Sequence, residues 1–443
     1  MAKNERVDST VDQIKTDQIS NLSLSSEGEE DEEESHFDIS PYINKGQRAY
    51  EVCNYHENCD EDNQISYILP LFSPNPKYYL FIMINICTLG IINFFLEWFP
   101  KLILYIKYEV VDLKTATHFG IFSKDGKEFE VVEKNELDLP KIDYNNENSI
   151  IKKFNLNIEP GTDKLITFEY NYFKYLYSTM KDNFEAISYH ILTTQKNIVE
   201  NFSKGLNTKE VLYMQKIFGE CDIDIDIVSC GQIIFYELSD PYYLFLLYSL
   251  ILWICLGSYI YSLIILALEA ITFFLGVRET YVNLKKIQEL SRYSCPVNVY
   301  RRNENSDIPE KTEINSTELV PGDVFEIPLD GLELPCDTIL IKGDIILKES
   351  QLTGDSLPVI KEAMEPTEKI FNTNHQDIEE YIGFAGSKII HSRKIGNSEA
   401  KGIVFRTGFE TVKGDLIANI LNSEEDDENF TNDSIKFIII MGI

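Results

Sequence analysis

The residues best suited to chemistry form a short polar loop at positions 353–356, which reads Thr-Gly-Asp-Ser. The loop follows an apolar run at 345–347, and the turn-forming Pro358 closes it. A glycine in such a loop lets the backbone approach another surface closely. The flanking hydroxyls and carboxylate can then meet a phosphate, a water molecule or the backbone of a partner. An isolated polar turn is more often only a turn, so the surrounding elements must decide its role.

A second candidate is Glu269, the single charged residue in the 34-residue apolar stretch 242–275. An ionisable side chain within a membrane segment is a candidate functional site. The alternative is that Glu269 lies near the cytosolic interface, where its carboxylate reaches water along the helix. The residues leave both interpretations open.

The stretch 242–275 predicts two membrane helices, because it is too long for one straight span and suits two helices joined at 255–258. Pro241 precedes it, and proline is favoured in the first turn of a helix. A basic flank follows the second helix and is expected to lie in the cytosol; it consists of Arg278, Lys285, Lys286 and Arg292. We therefore expect both flanks of the hairpin, like the amino terminus, to be cytosolic.

The spacing of potential metal ligands predicts no metal site. The eight cysteines are scattered, with no C-x-x-C pair and no histidine partner, so we expect them to be reduced. Asp222, Asp224 and Asp226 alternate with isoleucines, which would place three carboxylates on one face of a strand. Such a face could bind a cation, although a solvated sheet edge is its more usual role.

The composition argues against nucleic acid as a partner and allows several domains. The chain has 443 residues, of which 44% are hydrophobic, and a formal net charge of -32. A phosphate backbone requires lysine- and arginine-rich surfaces. Two acidic runs, at 29–34 and 424–428, are typical of solvated, disordered segments.

Apolar periodicity and turn residues divide the chain into segments. We predict a disordered acidic tail (1–65), an amino-terminal membrane-embedded segment (74–107), a small β-rich cytosolic domain (108–236), the membrane hairpin (241–277), a second β-rich cytosolic domain (278–421), an acidic linker (422–433) and the start of a third transmembrane helix (434–443). The predicted strands lie at 118–122, 129–132, 165–170, 297–300, 324–327, 338–341, 345–347, 381–384 and 403–405, and the predicted cytosolic helices at 208–217, 279–290 and 411–421. Whether 74–107 crosses the bilayer or returns to the side it entered stays open.

Four motifs of the second β-rich domain resemble the actuator half of P-type ATPases. They are Leu-Val-Pro-Gly-Asp-Val at 319–324, Leu-Pro-Cys-Asp at 334–337, Thr-Gly-Asp-Ser at 353–356 and Arg-Thr-Gly-Phe-Glu-Thr-Val-Lys-Gly at 406–414. The resemblance implies a multi-domain membrane protein, in which an α-helical transmembrane hairpin carries β-rich cytosolic domains. The domain at 278–421 would be an actuator domain, a distorted β-barrel or jelly roll.

Within the superfamily the chain is most similar to type 5, and there to type 5B, the polyamine-transporter-like branch. Residues 90–100 resemble the extra membrane element at the amino terminus of type 5 pumps. Residues 237–253 resemble the first-helix signature of those pumps, and Thr353 matches the 5B form of the loop.

The resemblance also implies a role for each loop residue. The family transfers a phosphoryl group from ATP to an aspartate and then hydrolyses the aspartyl phosphate. Its loop usually reads Thr-Gly-Glu-Ser, and the glutamate orients the attacking water. By position this catalytic role falls to Asp355, while Gly354 allows close approach and Thr353 and Ser356 shape the loop. Asp355 is one methylene shorter than glutamate, and a displacement of about 1 Å can cost roughly a hundredfold in rate.

The resemblance implies ATP and Mg²⁺ as cofactors, but the residues that bind them are absent from this chain. It contains no Asp-Lys-Thr-Gly phosphorylation motif and no nucleotide-binding domain. We therefore expect an amino-terminal portion, inactive alone, whose partners are the lipid bilayer and the phosphorylation and nucleotide domains of a complete pump.

The implied function is ATP-driven transport of organic cations or polyamines across an endosomal, lysosomal or vacuolar membrane. Glu269 and Pro241 are then candidates for the substrate path within the bilayer. Two alternatives stay open. One is a type 5A-like dislocase of transmembrane segments, and the other is a non-catalytic membrane protein that keeps the actuator domain as a binding module.

Overall fold

The computed structural model describes most of the chain between residues 48 and 422. The described residues are 48–54, 65–73, 75–88, 100–123, 129–140, 158, 164–179, 181–187, 194–225, 227–238, 240–303, 308–328, 330–354, 356–369, 371, 379–393, 399–422 and 440. Most of the predicted acidic tail, the acidic linker and the predicted start of a third transmembrane helix lie outside these residues.

A nine-stranded sheet forms the amino-terminal part of the structure. Its strands are β1 (Tyr50–Asn54), β2 (Ile65–Phe72), β3 (Glu109–Val110), β4 (His118–Ser123), β5 (Phe129–Glu133), β6 (Asn135–Asp138), β7 (Lys164–Tyr170), β8 (Phe173–Ser178) and β9 (Asn183–Ala186). They pair in the order β5-β4-β2-β1-β9-β8-β7-β6, with β3 on β2. Phe119, Phe168 and Phe184 pack together in its core, with ring centroids 5.2 to 5.5 Å apart. The strands predicted at 118–122, 129–132 and 165–170 are confirmed.

The prediction of a disordered tail over 1–65 is wrong at residues 50–54, because β1 lies there. β1 pairs antiparallel with β2 and parallel with β9, and Val52 is buried in the aromatic core. Its polar, acidic neighbours hid this strand, whose partner β9 lies far away in the sequence. The amino-terminal β-rich domain therefore begins before residue 108 and has strands on both sides of the 74–107 segment.

The 74–107 segment leaves the sheet and returns to the same place. It contains helix α1 (Pro76–Cys87) and helix α2 (Pro100–Lys107), and the residues between Thr88 and Pro100 lie outside the described part of the chain. The Asn75 backbone N–H donates to the Lys107 carbonyl at 2.9 Å, and the Asn75 side-chain amide donates to the Tyr108 carbonyl at 3.2 Å. Entry and exit of the segment are thus hydrogen-bonded to each other.

Two further sheets form the second β-rich domain. The strands of the larger sheet are β10 (Leu206–Asn207), β11 (Pro296–Arg302), β12 (Pro309–Asn315), β13 (Val324–Glu326), β14 (Asp337–Lys342), β17 (Ile382–Gly383) and β19 (Lys401–Arg406), and those of the smaller are β15 (Asp344–Lys348), β16 (Val359–Lys361) and β18 (Lys388–Arg393). The larger sheet has the order β10-β11-β13-β19-β14-β17 with β12 on β11, and the smaller has β16-β15-β18. All six strands predicted between 297 and 405 are confirmed.

The helices before the membrane hairpin pack in a core that the amino-terminal sheet and the second β-rich domain share. They are α3 (Gln195–Phe202) and α4 (Thr208–Phe218). The latter begins with a capping box, in which Asn207 and Glu210 each accept the backbone N–H of the other. Ile198 and Tyr213 are buried in one core with Val320 and Phe405. The predicted domain 108–236 is therefore not separate from the second β-rich domain, because the core around residues 195–218 includes side chains of both.

The predicted hairpin is present as two antiparallel helices. A short helix α5 (Cys230–Leu238) precedes α6 (Pro241–Cys255), and α7 (Tyr259–Ser291) follows after a tight turn. The Asp240 carboxylate caps α6 by accepting the Tyr242 backbone N–H at 2.7 Å. Trp253 near the end of α6 stacks on Tyr261 near the start of α7, with centroids 3.9 Å apart.

Helix α7 is one continuous element of 33 residues. The residues of the helix predicted at 279–290 are helical, but they continue α7 instead of forming a short helix of their own, because Gly276 alone does not interrupt a helix and no proline follows it. At 1.5 Å per residue α7 is roughly 50 Å long, more than the ~30 Å hydrocarbon core of a bilayer. Among the described residues it is the one helix long and apolar enough to cross a membrane. That α6 also crosses stays a prediction.

The last described helix, α8 (Val412–Asn422), confirms the helix predicted at 411–421. A short 3-10 turn at Gly408–Glu410 precedes this helix. Ala418 of α8 is fully buried in the aromatic core of the amino-terminal sheet. Helix α8 therefore contacts both β-rich regions.

Candidate functional site

The polar loop connects the ends of β15 and β16 at the outer edge of the smaller sheet. Its first turn is closed on Glu349, whose carbonyl accepts the backbone N–H groups of Leu352 at 2.9 Å and Thr353 at 3.0 Å. The Thr353 hydroxyl donates to the same carbonyl at 3.3 Å. The loop is thus held at its base by its own backbone.

The tip of the loop is open to solvent. Thr353, Gly354 and Ser356 are exposed, and Leu357 keeps 68% of its surface accessible. Gly354 has φ +74, and a Cβ built there would meet no atom within 4 Å. The structure therefore brings these three predicted residues together at one projecting tip. The fourth, Asp355, lies outside the described residues.

The first motif of the second β-rich domain, at 319–324, contains a fully buried carboxylate. Arg301 donates to both oxygens of Asp323, from Nε at 3.0 Å and from a terminal guanidinium nitrogen at 2.6 Å. The Val320 backbone N–H donates to it as well, at 3.1 Å. Burial raises the pKa of Asp323, and these donors oppose the rise. This motif is a structural anchor that fixes the turn before β13.

The Leu-Pro-Cys-Asp motif ends on a second fully buried carboxylate, Asp337. It accepts the Ala385 backbone N–H at 2.8 Å and the Val412 backbone N–H at 3.2 Å. Burial raises the pKa of Asp337 to about 6, against the opposing effects of the hydrogen bonds and Arg406. Since Val412 is the first residue of α8, Asp337 ties β14 to the start of that helix.

The motif at 406–414 forms a crowded turn at the exit of the domain. The Thr411 hydroxyl donates to the Gly408 carbonyl at 2.7 Å and accepts the Gly414 backbone N–H at 3.0 Å. A Cβ on Gly414 would lie 2.4 Å from the Gly408 carbonyl oxygen. Phe409 stacks on Tyr172 of the amino-terminal sheet, with ring centroids 4.6 Å apart.

In the hairpin, Glu269 meets the start of the preceding helix. The Tyr242 hydroxyl donates to Glu269 Oε1 at 3.2 Å. An apolar crevice of about 190 Å³ lies beside this pair, between α6 and α7, and is lined by Tyr242, Phe245, Leu246, Ser249, Leu250, Trp253, Ser262 and Ile265. Pro241 begins α6, one residue before Tyr242. The two predicted substrate-path residues therefore lie at the same end of the hairpin.

The described residues do not form a metal centre. Among them, no group of three or more His, Cys, Asp or Glu side chains could hold an ion. Six cysteines are free thiols: Cys87, Cys221, Cys230, Cys255, Cys295 and Cys336. The alternating aspartates do not lie on a strand, since Asp222 and Asp224 belong to irregular backbone and Asp224 pairs with Arg292. Asp226 lies outside the described residues.

Sequence reasoning missed two residues close to the loop, Glu349 and Lys361. They form an ion pair that is buried on both sides. In the sequence, Glu349 is only a polar residue before the loop, and Lys361 is only one of many lysines. Only the pairing of β15 with β16 brings the two charges together.

Two family models match the chain. Residues 295–421 match the P-type ATPase actuator domain, and residues 62–178 match the P5-type ATPase cation transporter. The second match runs through the 74–107 segment and most of the amino-terminal sheet.

Several curated proteins are similar to the chain. The vacuolar cation-transporting ATPase YPK9 of Saccharomyces cerevisiae is 30% identical over 397 residues, which cover 82% of this chain and 26% of that protein. The polyamine-transporting ATPases 13A3 of Mus musculus and Homo sapiens are 32% and 33% identical over 254 residues, which cover 55% of this chain and 20% of each relative. The chain thus matches about a quarter or less of the length of these relatives.

Proposed function

The chain belongs to the P5-type branch of the P-type ATPases, and we propose that it supplies the actuator half of an ATP-driven transporter. The proposed cargo is a small organic cation of the polyamine class. The polyamine-transporting relatives support that class. The observation that carries the proposal is the projecting tip at Gly354, with its positive φ and open surroundings.

The loop would act in the hydrolysis of an aspartyl phosphate on a partner domain. An open, exposed glycine allows the backbone of the tip to reach a second surface without steric conflict. The carboxylate of Asp355 would accept a hydrogen bond from the attacking water and direct its oxygen toward phosphorus. Thr353 and Ser356 would shape the loop around it. The shorter aspartate makes hydrolysis slower than with glutamate unless the loop shifts.

ATP and Mg²⁺ belong to the chemistry of the family, but the described residues of this chain do not fit a Mg²⁺ site. We therefore assign both to the phosphorylation and nucleotide domains of the complete pump. The contribution of this chain is the loop that approaches the phosphorylated site, together with the hairpin that anchors it in the bilayer.

The membrane part supports a cation path. A carboxylate beside a tyrosine ring suits an ammonium group, which is attracted both to the charge and to the aromatic face. Glu269 and Tyr242 offer this combination next to the crevice between α6 and α7. We propose that the cation passes here, with Pro241 starting the helix that presents Tyr242. By analogy with the vacuolar relative, the membrane would be vacuolar, lysosomal or endosomal.

The test uses the complete pump, purified in lipid. We expect an acid-stable phosphoenzyme from ATP and ATP hydrolysis that rises when spermidine is added. Stimulation by apolar helical peptides instead would favour the type 5A-like dislocase. If no phosphoenzyme forms, the non-catalytic alternative, which the replacement of glutamate by Asp355 favours, takes the place of our proposal.

A further inference from the structure

We propose that Glu349 and Lys361 form a positioning clamp that sets the direction of the 353–356 loop. The inference rests on the proposed function of that loop in dephosphorylation. Neither residue would touch the phosphate or the water. Both would act through the backbone that carries the loop.

The clamp is an ion pair with almost no access to solvent. Lys361 Nζ lies 3.0 Å from Glu349 Oε1, and only 4% and 6% of the two side chains are accessible. The ammonium also donates to the Glu379 carbonyl at 2.9 Å and lies 5.1 Å from the centroid of the Phe384 ring. Lys361 therefore connects Glu349 to residues on both sides of β17, Glu379 before it and Phe384 after it.

The register of the sheet places Glu349 at the root of the loop and Lys361 two residues beyond Val359, further along β16. Glu349 is the first residue after β15, and Lys361 is the last residue of β16. Ile345 pairs with Lys361 and Leu347 with Val359. Because side chains alternate along a strand, residues 345, 347 and 349 share the buried face on which Lys361 also lies. The Lys361 side chain thus reaches along this buried face to meet the Glu349 carboxylate at the base of the loop.

The clamp is connected to the tip through one carbonyl group. The Glu349 carbonyl accepts the N–H groups of Leu352 and Thr353 and the Thr353 hydroxyl. Holding the Glu349 side chain therefore fixes the peptide group on which the turn is built. Gly354, the exposed tip, is the next residue after this turn.

Stability alone does not explain the pair. Burying two charges costs about as much as their attraction returns, and well-packed apolar residues of similar size are often as stable. Apolar side chains would fill the same space, but they would not fix the direction of the Glu349 peptide group. The distinction can be measured, because an apolar replacement should keep the fold and release the loop.

The test compares the wild type with the double variant E349L/K361M, which leaves no unpaired buried charge. In this chain, amide exchange at Leu352 and Thr353 should become roughly tenfold faster, while the unfolding midpoint changes little. In the complete pump, phosphoenzyme should form at the normal rate and decay roughly tenfold or more slowly, since small displacements of a reacting group are costly. The conservative variant Lys361→Arg, which keeps the charge, should recover most of the decay rate.

The matched control is Lys196→Met. Lys196 forms a 2.9 Å pair with Glu368, but 42% and 75% of these two side chains are accessible. The K196M variant should change neither amide exchange at Leu352 and Thr353 nor the decay of the phosphoenzyme. Unchanged amide exchange in the double variant would overturn the proposed clamp. Faster amide exchange with a normal rate of phosphoenzyme decay would overturn it as well. Failure of the wild type to form phosphoenzyme would instead contradict the proposed function, while the exchange measurement would still decide whether the pair holds the loop.

Discussion

Two Thr-Gly turns in the actuator domain share a backbone conformation and differ in their surroundings. Gly354 has φ +74 and Gly408 has φ +59. A Cβ on Gly354 would meet nothing within 4 Å, whereas one on Gly408 would lie 3.2 Å from the Asp222 carbonyl oxygen. The first glycine leaves room for a surface that approaches from outside. The second lets segments of this chain pack against each other.

The two turns are also fixed in different ways. The exit turn at 407–411 is bordered by Asp337, which accepts the Val412 N–H, and by Tyr172, which stacks on Phe409. It therefore moves with the amino-terminal sheet and with α8. The loop at 353–356 is fixed at its base through the Glu349 carbonyl. One turn is built as a joint and the other as a contact surface.

The largest effect is expected at the joint, from Gly414→Ala. Its Cβ would lie 2.4 Å from the Gly408 carbonyl oxygen and 2.5 Å from the Phe409 Cα, so backbone must move. Such overpacking should cost about 3 kcal/mol in free energy of unfolding. Chemical denaturation of the purified chain measures this loss. The control Gly231→Ala places a methyl group in open space and should not destabilise the chain. Equal stability of the two variants would show that the 407–411 turn is not tightly packed.

A pH-dependent effect of somewhat smaller size is expected at Asp337. Burial raises the pKa of Asp337 from 3.8 to about 6, so the folded state binds its proton more tightly than the unfolded state. Its contribution to stability is therefore greatest at low pH and declines as the pH rises from about 4 to above 6, by roughly 2–3 kcal/mol.

Asp337→Asn removes this titration, so the free energy of unfolding should no longer fall by this amount as the pH rises. Urea unfolding of both proteins at pH 4, 5, 6 and 7 gives the difference directly, and Asp138→Asn, at an exposed aspartate of β6, serves as control. Parallel pH profiles for wild type and D337N would show that Asp337 does not carry the effect.

The smallest effect on stability is expected at the open loop, from Gly354→Ala. The left-handed backbone costs a residue with a side chain about 1 kcal/mol, and no clash adds to this. The chain should therefore fold normally, whereas phosphoenzyme decay in the complete pump should slow because the added methyl keeps the tip from its target. A loss of stability as large as that of G414A would mean that the loop is packed.

The regular parts of this architecture follow from the sequence. The strands at 118–122 and 338–341 and the helix at 208–217 show local alternation, helical spacing and turn residues, and the structure contains them. The hairpin turn follows from the length of the apolar stretch. These features depend on neighbours within a few residues, which the sequence displays directly.

The features that the sequence did not reveal depend on distant neighbours. β1 has a polar, acidic context and becomes a strand because β2 and β9 pair with its two edges. Helix α3 joins the actuator core through Ile198. Lys361 becomes a buried charge only when β16 lies beside β15. In each case a long-range contact sets the role, and no local pattern encodes it.

The role of Asp355 in dephosphorylation is tested most directly by the lifetime of the phosphoenzyme in the complete pump with Asp355→Asn. A water-orienting carboxylate contributes on the order of a hundredfold to rate. D355N should form phosphoenzyme as fast as wild type and lose it about a hundredfold more slowly. Equal lifetimes for D355N and wild type would contradict the assignment of dephosphorylation to this loop.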